Sequence, residues 1–357
     1  MKGLLRDGLW IKKVPSVYTA DQVSQWLSRI QYPKAESINP SQFEANLDNL
    51  RMLMQHQISR FPFENTPMHY TAEHRMDIGF DYLYQRLVID GNGSYCLGNN
   101  GLFLQMIRGL GYRAYSSAGR INIGPPDAAP SFITFVHMVI FVQPIEGSNT
   151  TYFVDAAGGG SCLTQPILLG DGESVMGATP SEKHSLVRTS RQESSLATRP
   201  DMPSYDPDLK VEWRLLVTHL KASGESSTRI LNAFIEEEYF SEDYQTTNVG
   251  VYTREDDIFW LGVVCSKCFF LDEKESEEVE RQQTMFEIQG VCTTSTKYLG
   301  RLAIEGKTIK RHVGLRTEVV KTMQTELDRL EGLKEWFNID IHPDAVKHMK
   351  GRVPAYE

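Results

Sequence analysis

The sequence predicts an α+β chain of more than one domain, and three observations carry that expectation. Apolar residues recur at helical spacing up to about residue 110; short β-branched and aromatic runs bounded by turn residues replace them from about 112 to 200; the remainder mixes strands with a closing helical pattern. A chain of 357 residues, 41% hydrophobic, can bury a large core and divide into two or three domains. The divisions expected are 1–95, helix-rich and leading to a candidate nucleophile; 96–204, strand-rich; and 205–357, mixed, with a C-terminal helix.

Each element has a local reason. Thr19 and Gln22 make a capping-box pattern ahead of Val23, Trp26, Leu27 and Ile30, which recur at helical spacing. A second helix is expected from about Ser41, carrying Leu47, Leu50, Leu53, Met54 and Ile58 and stopping before Pro62. A third spans roughly Asp77 to Arg86, with Phe80, Leu83 and Tyr84 on one side. The next begins near Cys96 and runs through Leu102, Phe103, Met106, Ile107 and Leu110, with Gly109 and Gly111 marking its end. Ser181 to Ser204 is polar and reads as loop. In the third segment Trp213–Thr218 reads as a strand, and Ile258 to Leu271 as one buried strand. The acidic run Asp272–Glu278 reads as a solvated loop, and Thr317 to about Phe337 as a helix.

Chemistry concentrates at three positions. Gly91-Asn92-Gly93-Ser94-Tyr95 is a flexible turn that delivers Cys96 to the first turn of an apolar helix, where backbone amides favour negative charge and a thiol should ionise more readily than a buried structural one. His137 lies in Thr134-Phe135-Val136-His137-Met138-Val139-Ile140, and Asp155 in Tyr152-Phe153-Val154-Asp155-Ala156; both runs read as strands, joined by the turn-forming residues 143–150. An antiparallel hairpin would set imidazole beside carboxylate if both side chains point to one face. The carboxylate would then orient the ring, and the ring would hold Cys96 as thiolate, the papain-like Cys-His-Asp arrangement. Taken singly, each residue has an ordinary structural use: a buried small hydrophobe, a core histidine, a turn-forming aspartate. Their joint placement is what points to catalysis.

These residues fall within a larger set of motifs. Gly93-Ser94-Tyr95-Cys96-Leu97 with Asn100 and Leu102-Phe103 resembles the Arg-Gly-Gly-aromatic-Cys motif of the arylamine N-acetyltransferases, and Phe61-Pro62-Phe63-Glu64-Asn65 resembles their Pro-Phe-Glu-Asn box. Val136-His137, Val154-Asp155 with the Ala156-Ala157-Gly158-Gly159 turn, Glu238–Tyr244 with Asn248, and Gly300-Arg301-Leu302 are similar to further family segments, in order from about residue 20 to 340. The pattern is closest to fungal members. Three departures stand out. Asn92 and Ser94 replace the Arg and second Gly before the nucleophile, so whatever that Arg orders must be supplied otherwise. Ala157 stands where Gly is common. Thr253-Arg254-Glu255-Asp256-Asp257 puts acidic charge near the coenzyme A phosphates of the family, which points to a different donor or binding mode.

The resemblance implies a helical bundle, a central β-barrel and a C-terminal α/β lid. It also implies ping-pong transfer of an acetyl or other short acyl group from acyl-coenzyme A to an arylamine, hydrazine or N-hydroxyarylamine, a reaction of xenobiotic metabolism. Cys96 would carry the acyl group, His137 handle the proton and Asp155 hold the ring, with no cofactor beyond acyl-CoA as co-substrate. Ile133, Thr134, Phe135 and Val136 would line the cleft, and Gly158 and Gly159 would admit the donor's phosphates. Two alternatives remain open: a Cys-His-Asp hydrolase, amidase or thioesterase, that passes the acyl group to water, and a non-catalytic relative.

Composition narrows the partners. A net charge of -9 argues against nucleic acid, no apolar run reaches membrane length, and Met1–Asp7 lacks the apolar core of a secretion signal. Five cysteines without a framework of spacing fit a reducing compartment, so cytoplasm is expected. Cys265-Ser266-Lys267-Cys268 has no second pair at metal spacing, Cys162 and Cys292 have no neighbouring His, and no metal site is expected; as strand residues at i and i+3, Cys265 and Cys268 would face opposite sides.

Overall fold

The computed structural model describes residues 2–126, 128–157, 159–203, 206, 209–221, 223–282 and 298–356. Cys292 lies outside them. The first helix, α1 (Ala20–Arg29), starts where the capping box requires: Thr19 Oγ1 accepts from the Gln22 amide at 3.3 Å, and Gln22 Oε1 from the Thr19 amide at 2.9 Å. Its buried Trp26 meets Phe103 edge-on and donates to Gln57 Oε1 at 2.8 Å.

The second helix, α2 (Leu47–Arg60), starts later than its apolar spacing suggested. Asn46 caps the Asn49 amide at 2.8 Å, while Pro40 opens a separate 3-10 turn, Pro40–Gln42. After α2 come the two-residue strand β1 (Phe63–Glu64) and the single helical turns α3 (Pro67–Tyr70) and α4 (Phe80–Leu83). The latter runs on as a π-helical turn, Tyr84–Ile89. Then α5 (Cys96–Gly109) follows, and the chain leaves it through Gly111 at φ +87°, the left-handed conformation glycine favours.

Eight antiparallel strands form the second layer: β2 (Arg113–Asn122), β3 (Phe132–Gln143), β4 (Tyr152–Val154), β5 (Ile167–Leu168), β6 (Ser174–Met176), β7 (Glu182–Thr189), β8 (Glu212–Leu220) and β9 (Ser226–Phe234). Their order is β5-β4-β3-β2-β9-β8-β7-β6. The two edges approach each other, and Gln165 Nε2 donates across the seam to the Met176 carbonyl at 2.8 Å, so the sheet is a nearly closed barrel. Phe153 stacks on Phe234 at 4.2 Å in its core, with Phe141 beside both. Two expectations change here. Residues 182–189 are a strand because Glu182, His184 and Leu186 alternate inward; the first two are polar yet buried in a charge cluster, which disguised the pattern. And 212–234, expected in the third segment, complete the barrel.

The rest builds around a second sheet: α6 (Ser241–Thr253), α7 (Ile258–Leu261), β10 (Cys265–Phe270), α8 (Glu273–Arg281), β11 (Leu299–Glu305), β12 (Thr308–Val313), β13 (Arg316–Thr322) and α9 (Glu326–Phe337). The sheet order is β1-β10-β11-β12-β13, so Phe63 and Glu64 of the first segment form its edge. Three readings are corrected. The run 258–271 divides because Asp257 caps α7 through the Phe259 amide at 2.9 Å before β10 begins. Residues 273–281 are helical, with Asp272 capping the Glu275 amide, acids at the end where the helix dipole favours them, and Val279 as the buried anchor. The stretch 317–337 is a strand and then a helix: β-branched residues around Val319 and Val320 pair with β12, and Thr325 with Asp328 forms a capping box that starts α9. Among the described residues no helix is long and apolar enough to cross a membrane.

Candidate active site

Cys96 is the first residue of α5 and is buried. The turn that presents it is strapped to the segment 62–66. A Cβ on Gly93 would sit 2.0 Å from the Pro62 carbonyl oxygen, so only glycine allows the approach. The Glu64 amide donates to the Ser94 carbonyl at 3.1 Å, and Asn99 Nδ2 donates to the carbonyls of Ser94 at 2.8 Å and Pro62 at 3.2 Å. From the other side, Tyr95 donates its hydroxyl to Asn248 of α6, which donates in turn to the Met76 carbonyl at 2.8 Å. Asn65 stitches the same segment to α7 and β10, donating to Phe259 and Gly262 carbonyls and accepting from the Val264 amide, each at 2.8 Å.

His137 comes from β3, and Asp155 is the first residue beyond β4, so the pair sits at the end of the expected hairpin rather than inside both strands. Nε2 of His137 lies 2.6 Å from Asp155 Oδ2, and both side chains are buried. That leaves Nδ1 for Cys96, whose Sγ also lies 3.4 Å from the Val136 carbonyl. Burial alone would lower the basicity of the ring, but the Asp155 carboxylate and the Cys96 sulfur outweigh it and raise His137 to about 10. Burial works against the Asp155 anion too, yet His137, Asn100 and the Ala157 amide hold its carboxyl below the usual range. Gly119 pairs with His137 on β2, and a Cβ there would press on the Ala233 carbonyl oxygen of β9 at 3.2 Å while only touching the His137 ring at 3.6 Å. The arrangement keeps an imidazolium between a carboxylate and a sulfur, which is what nucleophilic thiolate chemistry requires.

All three residues line a cavity of about 680 Å³ shared by the barrel and the second sheet. Val136 and Gly159 are on its lining. Ile133, Thr134 and Phe135 are not: Ile133 packs against the main core, Thr134 faces outward, and Phe135 lies under the Arg120 guanidinium at 3.6 Å and beside Tyr239. Strand alternation and the irregular register between β2 and β3 near Arg120 turn them away. Gly159 has φ +70° and sits against Phe63, another lining residue; Gly158 lies outside the described residues. The acidic cluster is largely self-contained, because Arg254 binds Asp256 at 3.1 and 3.0 Å and Asp257 is engaged as the α7 cap. Among the described residues no group of three His, Cys, Asp or Glu is placed to hold a metal ion.

Two further residues hold the site together, Asn100, which the sequence offers only as part of the nucleophile motif, and Arg86. Asn100 donates to Asp155 Oδ1 at 3.0 Å and to the Met138 carbonyl at 2.6 Å, and its Oδ1 accepts from the Ala156 amide at 2.9 Å. It lies one turn from Cys96 on the same helix face, so i,i+4 spacing points to its role. Arg86, on the π-helical turn, donates Nε to the Gly93 carbonyl at 2.7 Å and Nη2 to the buried Glu64. It supplies from six residues upstream a guanidinium that Asn92 does not. Ser94 fits because its neighbour is Gly98, where a Cβ would meet Ser94 Oγ at 2.1 Å.

Residues 46–274 match the family model described as N-acetyltransferase. An N-malonyltransferase of Gibberella moniliformis is 23% identical over 345 residues, 91% of this chain and 90% of its own. The arylamine N-acetyltransferase of Escherichia coli is 29% identical over 147 residues, 41% of this chain and 47% of its own. Among solved structures, the Mycobacterium marinum arylamine N-acetyltransferase in complex with CoA superposes with a TM-score of 0.64 at 21% identity, covering 93% of this chain and 98% of that one.

Proposed function

The chain belongs to the arylamine N-acetyltransferase family, and from that premise we propose that it transfers a short acyl group from acyl-coenzyme A to an amine through a thioester on Cys96. The observation that carries this reading is the contact between a thiol at a helix N-terminus and a buried His137–Asp155 pair within a large cavity. Cys96 Sγ attacks the thioester carbon, and coenzyme A leaves with the proton given up by His137 Nδ1. The amine then attacks the acyl-enzyme, His137 takes its proton, and the thiolate–imidazolium pair is restored. Asp155 holds the ring through Nε2 in both halves. Backbone amides in the first turn of α5 would stabilise the developing oxyanion, and the second sheet acts as the lid over the cleft.

Malonyl-coenzyme A is the donor to try first, since relatives bearing the name N-malonyltransferase span about nine tenths of the chain. Acetyl is the second choice, with an arylamine, hydrazine or N-hydroxyarylamine as acceptor. Lys221 and Arg229, on the lining of the cavity, supply positive charge for the donor's phosphates. The test is the intact mass of the protein after incubation with acetyl-, propionyl- and malonyl-coenzyme A without amine. A single acyl adduct, missing from Cys96→Ala and discharged by an aromatic amine, is expected. No adduct and no consumed thioester would overturn the reading; discharge by water at an equal rate would make the protein a hydrolase.

A further inference from the structure

The Gly300-Arg301-Leu302 segment and the Cys265–Cys268 pair have no part in the proposed reaction, yet they converge on a second thiol site. Cys162, directly after the 3-10 turn Gly159–Ser161, and Cys268 of β10 are both buried, with their sulfurs 3.5 Å apart. Arg301, opposite Cys268 on β11, places Nη1 3.2 Å from Cys162 Sγ and 3.9 Å from Cys268 Sγ. Its Nη2 donates to the Cys162 carbonyl at 2.9 Å and to Glu182 of β7. Glu182 is flanked in turn by His184 at 3.7 Å and His219 at 3.6 Å. Cys265 packs with the α9 residues on the other side of β10, although it also borders the cavity, so the partner of Cys268 is across the molecule rather than three residues away.

We propose that Cys162 and Cys268 are a reversible dithiol–disulfide pair that, on oxidation by a hydroperoxide, ties the turn after Asp155 to the second sheet beside the cleft. Access is given by the cavity, since Cys162 and Arg301 line the same space as Cys96. Roles follow from the surroundings. The hydrogen bond from Cys268 and the Arg301 guanidinium bring the Cys162 thiol down to about 7 against the effect of burial, whereas Cys268 is pushed up. The Cys162 thiolate attacks the peroxide: an S–O bond forms, the O–O bond breaks, and the departing oxygen takes a proton to leave as water or alcohol. The Cys268 sulfur then displaces hydroxide from the Cys162 sulfenic acid. The S–H proton of Cys268 leaves with that hydroxide as water, and the S–S bond forms. Two thiols are oxidised by two electrons in all, and one peroxide is reduced. The sulfurs need to close by about 1.5 Å to reach bonding distance.

The test uses the full-length protein, treated with hydrogen peroxide, alkylated and mapped by mass spectrometry without reduction. A peptide pair joined through Cys162 and Cys268 is expected, released by dithiothreitol, absent from Cys162→Ser and Cys268→Ser, and retained in Cys265→Ser. It should also form in Cys96→Ala, which separates it from acyl transfer. Because the wild-type chain carries the decisive readout, a variant that fails to fold changes nothing. Both thiols recovered alkylated after Cys96 has been oxidised, Cys162 recovered as sulfinic acid without a cross-link, or Cys268 joined to Cys265 would each overturn the proposal.

Discussion

Cys96 and Cys162 are buried thiols on the lining of one cavity, which Cys265 also borders, and the cations beside the first two differ in kind. Cys96 faces an imidazole whose proton can leave and return, because Asp155 stabilises the charged ring while the ring stays within reach of titration. Cys162 faces Arg301, a guanidinium that stabilises an anion but does not release its proton in a protein. The first arrangement can return a proton to a leaving group and take one from an amine, which a transfer cycle needs. The second can hold a thiolate but cannot run that cycle; it has instead a second sulfur at 3.5 Å. The lesson is that the partner decides what a thiolate can do, more than the ionisation of the thiol itself.

The largest effect should come from removing what makes the imidazole different from the guanidinium. Asp155→Asn keeps the shape but loses the charge, and kcat/KM for acyl transfer is expected to fall by roughly 10³–10⁴, as for other triads deprived of their carboxylate. Steady-state kinetics on folded protein checks this, and a fall of less than about tenfold would break the contrast. Arg86 extends the comparison to a guanidinium whose role is to hold the nucleophile turn. Arg86→Leu leaves the fully buried Glu64 without a counter-charge, with only the Thr66 amide on its carboxylate, and should cost about 3–5 kcal/mol in denaturant unfolding. Asn100→Ala strips one bond from Asp155 and orphans the Ala156 amide, for about 1–3 kcal/mol. It should also displace the upper limb of the pH–rate profile, which a loss of packing alone would not do.

That limb has a definite sign. His137 is raised to about 10, above its ordinary value near 6.5, so the stability it confers is present in full below about 6.5 and is lost as pH rises through about 10. Acylation should decline over the same upper range as the imidazolium loses its proton. Asp155 is lowered, so its contribution is present above the usual carboxylate range and is lost as pH falls through the depressed value. Parallel profiles of rate and unfolding free energy test both. At the smallest end, Thr19→Ala removes the α1 cap far from either thiol; it should cost about 1 kcal/mol and leave transfer unchanged.

The nucleophile helix, the His-Asp hairpin and the α1 cap were legible in the sequence because each is a local pattern of a few residues. Arg86 was not, since its partner Glu64 lies 22 positions away and the π-helical turn that aims it carries no local sequence signature. The strand β7 was hidden because Glu182 and His184 are polar on the buried face, answered by Arg301 more than a hundred positions later. The cleft wall was half legible. Val136 followed from its place beside His137, whereas the irregular register near Arg120 reversed the residues before it. The acids of 272–278 spoke for solvent, and only the cap at Asp272 with the single anchor Val279 makes them a helix.

The most direct test of the central contrast is the pre-steady-state release of coenzyme A from malonyl- or acetyl-coenzyme A in the absence of amine. One equivalent per chain should appear as a burst in the wild type and in Cys268→Ser, and none in Cys96→Ala. A burst that survives in Cys96→Ala, or disappears in folded Cys268→Ser, would contradict the assignment of acyl transfer to the imidazole-paired thiol.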